Sequence, residues 1–253
     1  MDDLGELDKV TNEAKQLRKL QHRNIVAYHD EFLHEDSRTL SGNKYKFLLV
    51  MEFCQNGDLL SKINKWREAK KLPSEAEVMG ILIDILEAIK YIHARDIIHR
   101  DIKSENIFIA TDLTAKLGDF GLCAQGKSIK TRKSGKYSMA VGTENYHAPE
   151  LFRGSLFQKG KASDVWALGC VLLEMVLAMP IWDIDFRGSQ LGIRCIEDAN
   201  YAKDFVMHNV SDKYDPALRS LLKKMLASDP KQRPTVEEIL KKKFVRNWFN
   251  RTR

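Results

Sequence analysis

The sequence predicts an α+β protein of two lobes, a small lobe with a short sheet and a larger, mainly helical lobe. Two runs of β-type residues, 24–32 and 44–53, lie near the start of the chain. From Ser74 onward apolar residues recur every three or four positions, which is typical of helices with one buried face. We place the lobe boundary after residue 54, so that residues 1–54 belong to the small lobe and residues 55–253 to the large one.

The small lobe is predicted to begin with a helix over residues 11–20, where good helix formers follow the polar pair Thr11-Asn12. The polar stretch from Leu33 to Asn43 separates the two β-type runs and is typical of a hairpin loop. A hinge is expected near residues 52–57. These elements together predict a small α+β cap.

The large lobe is predicted from helix-start signals and apolar periodicity. Ser74 and Glu77 have the spacing of a capping box. The apolar residues behind them mark one face of a long helix: Val78, Ile81, Leu82, Ile85, Leu86, Ile89 and Ile92. Further helices are predicted at residues 163–179, 215–227 and 235–243, and a second capping box opens the last of them.

Composition indicates a globular protein, because 43% of the 253 residues are hydrophobic and 30% are charged. The net charge of +6 suits an acidic partner such as nucleic acid or a membrane surface, and equally an ordinary solvated surface. The four cysteines lack a CxxC spacing, which argues against a zinc site and fits a reducing interior. The apolar run from Val165 to Trp182 contains Glu174 and Pro180, so we interpret it as a buried helix in a soluble protein.

Three ordered motifs carry the chemistry. The string HRDIKSEN occupies residues 99–106, Asp119-Phe120-Gly121 follows, and Ala148-Pro149-Glu150 lies further on. D-F-G alone is a weak signal, whereas the three motifs in this order are very specific.

On these motifs the sequence resembles the eukaryotic protein kinase family, from about Thr11 to Trp248. The resemblance implies a bilobal kinase-like fold. Residues 164–169, DVWALG, are similar to the family's D-x-W-x-x-G helix, which anchors the large lobe, and Asp164 is expected to have a structural role there. Arg233 is expected to be the buried partner of Glu150.

Within this family the sequence is most similar to the NIMA-related (NEK) kinases. The residues that carry this similarity are LVMEFC at 49–54 with GDL at 57–59, Ile107-Phe108 after Asn106, and Leu117-Gly118 before Asp119. Several of these positions are shared across kinase groups.

The resemblance implies ATP and Mg²⁺ as cofactors and assigns a role to each motif residue. Phosphoryl transfer needs positioning and neutralised charge more than covalent help. Asp101 would accept the proton of the substrate hydroxyl, and Lys103 would lie against the γ-phosphate. Asn106 and Asp119 would supply oxygen ligands to Mg²⁺. Because serine/threonine-specific members carry a lysine at the place of Lys103, the expected acceptors are serine and threonine.

The nucleotide-binding residues are also assigned by resemblance. Met51 matches the gatekeeper, and Glu52 and Cys54 lie in the hinge whose backbone groups bind adenine. Asp58 and Phe108 complete the predicted nucleotide site.

The resemblance fails at the start of the chain. Glu13 matches the regulatory-helix glutamate, which in an active kinase pairs with a lysine on the preceding strand. Nothing in residues 1–12 matches G-x-G-x-x-G, and Lys9 is expected on the helix of Glu13. We therefore expect a truncated small lobe, without the phosphate cradle and the strand lysine. The expected consequences are weak or no ATP binding by this chain and a stability below that of a full kinase domain.

Three functional interpretations stay open at this point. The first is a kinase, complete only with upstream sequence. The second is a pseudokinase or scaffold, in which the helical lobe binds partners without catalysis. The third is a nucleic-acid-binding protein, for which only the positive charge argues. The expected partners are proteins bearing serine or threonine, with no nucleic acid and no membrane, in the cytoplasm and in association with the cytoskeleton as the resemblance allows.

Regulation is expected in the loop between Leu122 and His147. Family members often carry a phosphorylatable residue at the place of Met139, and Ser138 is adjacent. Phosphorylated Ser138 would pair with Arg100 and order the loop, with help from the loop's own basic residues: Lys127, Lys130, Arg132, Lys133 and Lys136. Ordinary solvated charges are the alternative. Thr143 is expected to pack near Asp101 and Lys103.

Two acidic residues suggest a substrate preference. Asp58 and Glu105 occupy places where some kinases bind basic residues upstream of the target hydroxyl. The alternative is a ribose contact for Asp58 and a solvated Glu105.

Overall fold

The computed structural model describes residues 13–15, 17–35, 45–125, 143–152 and 160–252. Within these ranges the strands are β1 (Tyr28–Glu35), β2 (Tyr45–Met51), β3 (Ile97–Ile98), β4 (Ile107–Ile109), β5 (Ala115–Leu117) and β6 (Ala124–Gln125). The α-helices are α1 (Leu59–Glu68), α2 (Glu75–His93), α3 (Pro149–Phe152), α4 (Lys161–Leu177), α5 (Leu191–Glu197), α6 (Tyr201–Asn209), α7 (Pro216–Met225), α8 (Val236–Lys241) and α9 (Lys243–Thr252). The predicted α+β class is confirmed.

The N-terminal part consists of a short segment with helical backbone at residues 13–15 and 17, followed by an antiparallel hairpin of β1 and β2. In this hairpin Tyr28 faces Met51, and a bulge follows Tyr28. The hairpin docks on β5, because the Val26 amide donates to the Leu117 carbonyl at 3.0 Å. The lobe boundary placed after residue 54 stays a prediction.

Helix α2 forms because its sequence carries both a start signal and a continuous apolar face. The Ser74 hydroxyl accepts from the Glu77 amide at 3.2 Å, and a Glu77 carboxylate oxygen accepts from the Ser74 amide at 3.1 Å, so the predicted capping box is present. All the apolar residues predicted for its buried face are buried. The helix therefore forms one wall of the large-lobe core.

Helix α4 lies in the centre of the large lobe and is buried on every side from Asp164 to Val176. Gly169 permits a close approach of α7, since a Cβ at this position would lie 2.9 Å from Leu226 Cδ2. The helix ends where Ala178 adopts φ +49°, in the left-handed region. Helices α2 and α4 pack against each other, and α8 and α9 cover α2.

The short strands place the motif segments between these helices. Strand β3 pairs antiparallel with β6, and β4 pairs antiparallel with β5. The loop of residues 99–106 joins β3 to β4, while residues 118–123 join β5 to β6. The two loops therefore run side by side.

The structure differs from the sequence expectation in several element boundaries. Helical backbone ends at residue 17 rather than 20, because the Leu20 amide bonds back to the Leu17 carbonyl and tightens the last turn. Residues 11 and 12, and most of the expected hairpin loop, lie outside the described residues. Helices α1, α3, α5, α6 and α9 were not predicted. Among the described residues, no helix is both long and apolar enough to cross a membrane.

Candidate active site

Asp101 lies at the centre of the loop between β3 and β4 and is 7% exposed. One of its carboxylate oxygens, Oδ1, accepts from the backbone amide of Thr143 at 3.0 Å and from the Thr143 hydroxyl at 3.2 Å. The carboxylate is therefore held by a residue forty-two positions further along the chain.

Lys103 contacts the carboxylate of Asp101. Its ammonium nitrogen is 3.4 Å from Asp101 Oδ2 and donates to the Thr143 hydroxyl at 3.0 Å. Asp101, Lys103 and Thr143 thus form a closed triangle of contacts. The position expected for Thr143 from the sequence is the one it occupies.

Asn106 connects the loop of Asp101 to the loop of Asp119. Its side-chain amide donates to the Asp101 carbonyl at 2.8 Å and to Asp101 Oδ2 at 3.2 Å. Its own carbonyl accepts from the Gly118 amide at 2.9 Å. Gly118 directly precedes Asp119, so the two expected magnesium ligands lie on adjacent, hydrogen-bonded segments.

His99 lies between the two loops and is fully buried. Its Nε2 donates to the Gly118 carbonyl at 3.1 Å. Burial lowers the pKa of this imidazole, while the charges of Asp164, Asp101 and Asp119 oppose the shift. The Asp101 amide also donates to His99 Nδ1 at 3.4 Å, so this imidazole bridges the backbone at Asp101 and the backbone just before Asp119.

Asp119 has an unusual backbone conformation, with φ +57°. Its carboxylate accepts from the amide of Gly121 at 3.3 Å, which stabilises the turn. A non-glycine residue in the left-handed region is uncommon, and such strain often occurs at functional sites.

Glu13 lies against the Asp119-Phe120 segment. Burial and, to a smaller extent, the charge of Asp119 raise the pKa of its carboxyl group to about 7, against a hydrogen bond from the Phe120 amide that lowers the pKa. Within the described ranges Glu13 takes part in no ion pair. The lysine partner that a regulatory-helix glutamate has in an active kinase is therefore not among the described residues.

The predicted hinge residues follow the end of β2. Met51 is 37% exposed, and the Glu52 amide donates to the Ala27 carbonyl at 2.8 Å. The Glu52 carboxylate is bound to Lys116 at 3.0 Å, and Cys54 is buried. Among the residues that the structure describes, neither Met51 nor Cys54 forms a hydrogen bond with Asp101.

Asp58 and Phe108, the other expected nucleotide-binding residues, form an isolated antiparallel bridge. The Asp58 carboxylate accepts from the Ser61 amide at 2.6 Å and so caps α1. Phe108 packs on Gly118, where an added Cβ would lie 2.7 Å from its ring. The structure therefore brings this pair close to the Asp119 loop.

Asp164, at the start of α4, holds the backbone that leads to Asp101. Its carboxylate accepts from the amides of His99 at 2.9 Å and Arg100 at 3.0 Å, and from His93 Nε2 at 2.8 Å. Burial acts to raise the pKa of Asp164, yet these hydrogen bonds and the neighbouring imidazoles outweigh it, and the pKa lies below its usual value. Asp164 is therefore a buried carboxylate that fixes the shape of the catalytic loop.

Arg100 adopts φ +73°, and its Nε has no hydrogen-bond partner among the described residues. Burial lowers the pKa of its guanidinium group, against the charge of Asp164. Ser138 lies outside the described residues, as do the basic residues of its loop. Its pairing with Arg100 stays a prediction.

Glu150 and Arg233 form a buried, bidentate ion pair, in which Arg233 Nη2 lies 2.6 Å from Glu150 Oε2 and Nη1 lies 2.8 Å from Oε1. Ser163 also donates to Glu150 at 3.0 Å, and Arg233 donates to the carbonyl groups of Ala227 and Ser228. This pair ties α3 to the turn after α7.

One buried cluster was missed by sequence reasoning. The Glu174 carboxylate accepts from the Tyr146 hydroxyl at 2.9 Å, the Ile181 amide at 2.8 Å and the Ser104 hydroxyl at 3.4 Å. Glu105 lies within 3.4 Å of the Tyr146 hydroxyl. Burial raises the pKa of Glu174 to about 8. The signal that could have found it is the single acidic residue within the apolar run of α4.

The donor set suits Mg²⁺, which typically takes one or two protein oxygen ligands together with waters and phosphate oxygens. Asp119 offers a partly exposed carboxylate and Asn106 an amide beside it. No group of three His, Cys, Asp or Glu side chains among the described residues forms a protein-only metal site. A cation held jointly by these two residues and a nucleotide fits this arrangement.

Comparison with known proteins identifies the family of this chain. The protein kinase domain family matches residues 2–245. The chain is 34% identical to human serine/threonine-protein kinase Nek5 over 236 residues, which is 91% of this chain and 29% of that protein. It is 31% identical to mouse serine/threonine-protein kinase Nek2 over 245 residues, 95% of this chain and 51% of that protein.

A relative outside the NIMA-related group, human serine/threonine-protein kinase PAK 4, is 34% identical over 236 residues, 92% of this chain and 35% of that protein. The chain thus spans about half the length of these relatives or less. The top-ranking relatives are mostly NIMA-related kinases, which confirms the resemblance seen in the sequence. By its ordered motifs, its fold and its match over nearly the whole length, this chain belongs to the protein kinase domain family.

Proposed function

We propose that this chain acts as the catalytic part of an ATP-dependent serine/threonine kinase, which transfers the γ-phosphate of ATP to hydroxyl groups of proteins. The observation that carries the proposal is the contact set of one carboxylate: Lys103, Thr143 and Asn106 all bond to Asp101. A carboxylate held from several sides presents its oxygens in a fixed direction. The serine/threonine kinases among its relatives support the choice of reaction.

In the proposed mechanism Asp101 orients the substrate hydroxyl and accepts its proton. Lys103 places a positive charge beside Asp101, where it offsets the charge that develops on the transferred group. Asn106 and Asp119 would hold Mg²⁺, which would supply positive charge to neutralise the phosphate oxygens of ATP. Thr143 keeps Asp101 and Lys103 together during the transfer.

Nucleotide binding is proposed along the hinge. The backbone of Met51, Glu52 and Cys54 would bind the adenine, and Asp58 and Phe108 would contribute to the same nucleotide site. The bridge between Asp58 and Phe108 supports this part of the proposal, since it joins the hinge side to the strand that precedes the Asp119 loop. The cytoplasmic location stays a prediction.

The test is a phosphoryl-transfer assay at millimolar Mg·ATP, with otherwise identical peptides that offer serine, threonine or tyrosine. We expect transfer to serine and threonine, and a loss of about 100-fold or more in Asp101→Asn, the range for a general base. Asp112→Asn is the matched control, because Asp112 is an exposed carboxylate outside the site. Equal activity in Asp101→Asn and the control would contradict the mechanism.

A second function, a scaffold without catalysis, is favoured by one observation. Glu13 faces Asp119 and Phe120 and has no ion-pair partner among the described residues. If the folded chain shows no Mg·ATP-dependent melting shift and no Asp101-dependent transfer, the scaffold replaces the kinase as the proposed function. A clear nucleotide-dependent shift would contradict our expectation of weak ATP binding.

A further inference from the structure

A basic groove of about 1110 Å³ lies in the large lobe, between α6, α7, α8 and the turn of residues 226–235. Five lysines line it: Lys203, Lys223, Lys224, Lys231 and Lys242. None of the residues assigned to Asp101 chemistry, metal binding or nucleotide binding lines this groove. It is therefore a feature that the proposed kinase reaction does not use.

The positive charge of the basic groove is not compensated within the part of the chain that the structure describes. No ion pair with a described carboxylate involves any of the five lysines. The arginine that also lines the groove, Arg233, has its charge paired with Glu150. The groove thus presents several amino groups to solvent without a partner of opposite charge.

The two acidic residues of the groove are engaged in local backbone capping. Asp229 accepts from the Lys231 amide at 2.9 Å, and Glu238 accepts from the Thr235 amide at 2.8 Å. Both carboxylates therefore accept hydrogen bonds from backbone amides at the start of a turn or a helix, and neither forms an ion pair with a groove lysine that the structure describes. The local charge stays strongly positive.

Helix-end electrostatics explains only some of these lysines. Lys223 and Lys224 lie in the last turn of α7, and Lys242 caps the end of α8, where positive charge is favourable. Lys203 instead lies in the first turn of α6, where a positive charge is unfavourable. Lys231 lies in a short turn of residues 230–232. Their convergence on one groove therefore favours a negatively charged ligand over helix stabilisation.

The lining of the groove favours a protein segment as this ligand. The partly exposed residues Ala227, Pro230 and Pro234 provide apolar surface between the lysines, which suits short apolar side chains. No aromatic residue lines the groove, so it lacks the stacking surface on which single-stranded nucleic acids depend. The groove cations without an ion-pair partner among the described residues are all lysines. A lysine acts as a point charge and lacks the planar guanidinium group with which arginine binds phosphate through two hydrogen bonds. Dispersed carboxylates with apolar residues between them match these features.

We propose that the basic groove is a docking surface for an acidic segment of a partner protein, rich in aspartate and glutamate and interrupted by small apolar residues. Such a surface would recruit partners independently of the hydroxyl that is phosphorylated. The proposal does not depend on catalysis, so binding alone tests it.

The test uses fluorescence anisotropy with a short fluorescein-labelled peptide, in which Asp-Glu pairs alternate with single leucines. The variant combines Lys203→Glu and Lys231→Glu, two exposed residues of the groove. The control combines Lys65→Glu and Lys71→Glu, which are exposed on and just after α1 and change the net charge by the same amount. Melting curves establish that each protein is folded.

We expect the groove variant to bind the peptide about tenfold more weakly than the unmodified chain, because each reversal replaces an attraction by a repulsion of similar size. The control is expected to stay within about twofold, since its charges lie outside the groove. Equal losses in both proteins would show that only the overall charge matters, and no binding at low salt would also overturn the proposal. Displacement of the peptide by polyuridylate at a lower concentration than by unlabelled peptide would assign the groove to nucleic acid instead.

Discussion

Glu174 makes a quantitative prediction possible, because its carboxyl group is buried in the centre of the large lobe. Its ordinary pKa of 4.5 rises to about 8 in the folded protein, chiefly through burial. In the unfolded chain the group releases its proton near the ordinary value. Between these two pH values the unfolded state therefore binds fewer protons than the folded state, and stability falls as the pH rises.

The magnitude follows from the size of the shift. One pKa unit corresponds to about 1.36 kcal/mol, so this carboxyl group alone lowers the free energy of unfolding by roughly 3 kcal/mol between pH 5 and pH 8. Below the ordinary pKa the destabilisation is absent, and above the folded value it no longer grows. The expected window therefore extends from about pH 4.5 to about pH 8.

The perturbation is Glu174→Gln. The amide keeps an acceptor for Tyr146 and Ile181 and cannot ionise, so it resembles the protonated acid. We expect the stability of the variant relative to the unmodified chain to rise by roughly 3 kcal/mol from pH 5 to pH 8. The other titrating groups are common to both proteins and cancel in this difference.

The assay is urea unfolding at several pH values, followed by tryptophan fluorescence. Trp166 is fully buried on the same helix and reports on this core. Glu68→Gln serves as the matched control, since Glu68 is exposed at the end of α1 and its removal should leave the pH profile parallel to that of the unmodified chain. Parallel profiles for Glu174→Gln as well would refute the reasoning.

Two further predictions concern packing in the large lobe. Arg233→Met leaves the Glu150 carboxylate buried without its cation and should destabilise the chain by about 3–5 kcal/mol in urea unfolding, whereas Arg67→Met, which breaks an exposed ion pair with Asp183, should cost no more than about 1 kcal/mol. Equal costs would contradict the assignment of Arg233 as a core residue. Gly169→Ala places a Cβ 2.9 Å from Leu226 Cδ2 and should lower the stability by about 1–3 kcal/mol, while Gly80→Ala on α2, with no atom within 4 Å of the new Cβ, should raise it by about 0.5–1 kcal/mol. Thermal melting of Gly169→Ala and Gly80→Ala measures the change in stability of each variant. A shift of the melting temperature in the same direction for both would contradict the explanation by close packing at Gly169.

The sequence predicted the long helix α2 and the motif loops well, for identifiable reasons. Helix α2 has a capping box and an uninterrupted apolar face, and both signals are local. The motif residues were found because phosphoryl transfer restricts the side chains that can serve it. The contact of Asp101 with Thr143 was expected from family resemblance and is present.

The elements that were missed lack local signals. The residues that precede α6 and α5, Asn200 and Gln190, make no capping hydrogen bond with their side chains. Strands β3 and β6 have two residues each, which is too short for any periodicity. Helix α1 does have a local start signal, because Asp58 caps it, although the resemblance assigns this residue to the nucleotide site.

The Glu174 cluster could not be predicted because its members are far apart in the sequence. Ser104 and Glu174 are separated by seventy positions, and Tyr146 and Glu174 by twenty-eight. In the sequence, Glu174 is a single acidic residue in an apolar run, and this pattern alone does not indicate which groups the carboxylate contacts. Only the packing of α4 shows that it is a shared acceptor for hydroxyl and amide donors.

The carboxylate of Asp164 has a consequence for how the two lobes depend on each other. It accepts hydrogen bonds from the amides of His99 and Arg100 and from the side chain of His93 on α2. Asp164 itself is buried. The bend is therefore part of the folded interior of the large lobe and does not rely on the hairpin of β1 and β2. Changes in the small lobe are therefore expected to leave the position and the orientation of the Asp101 carboxylate unaltered.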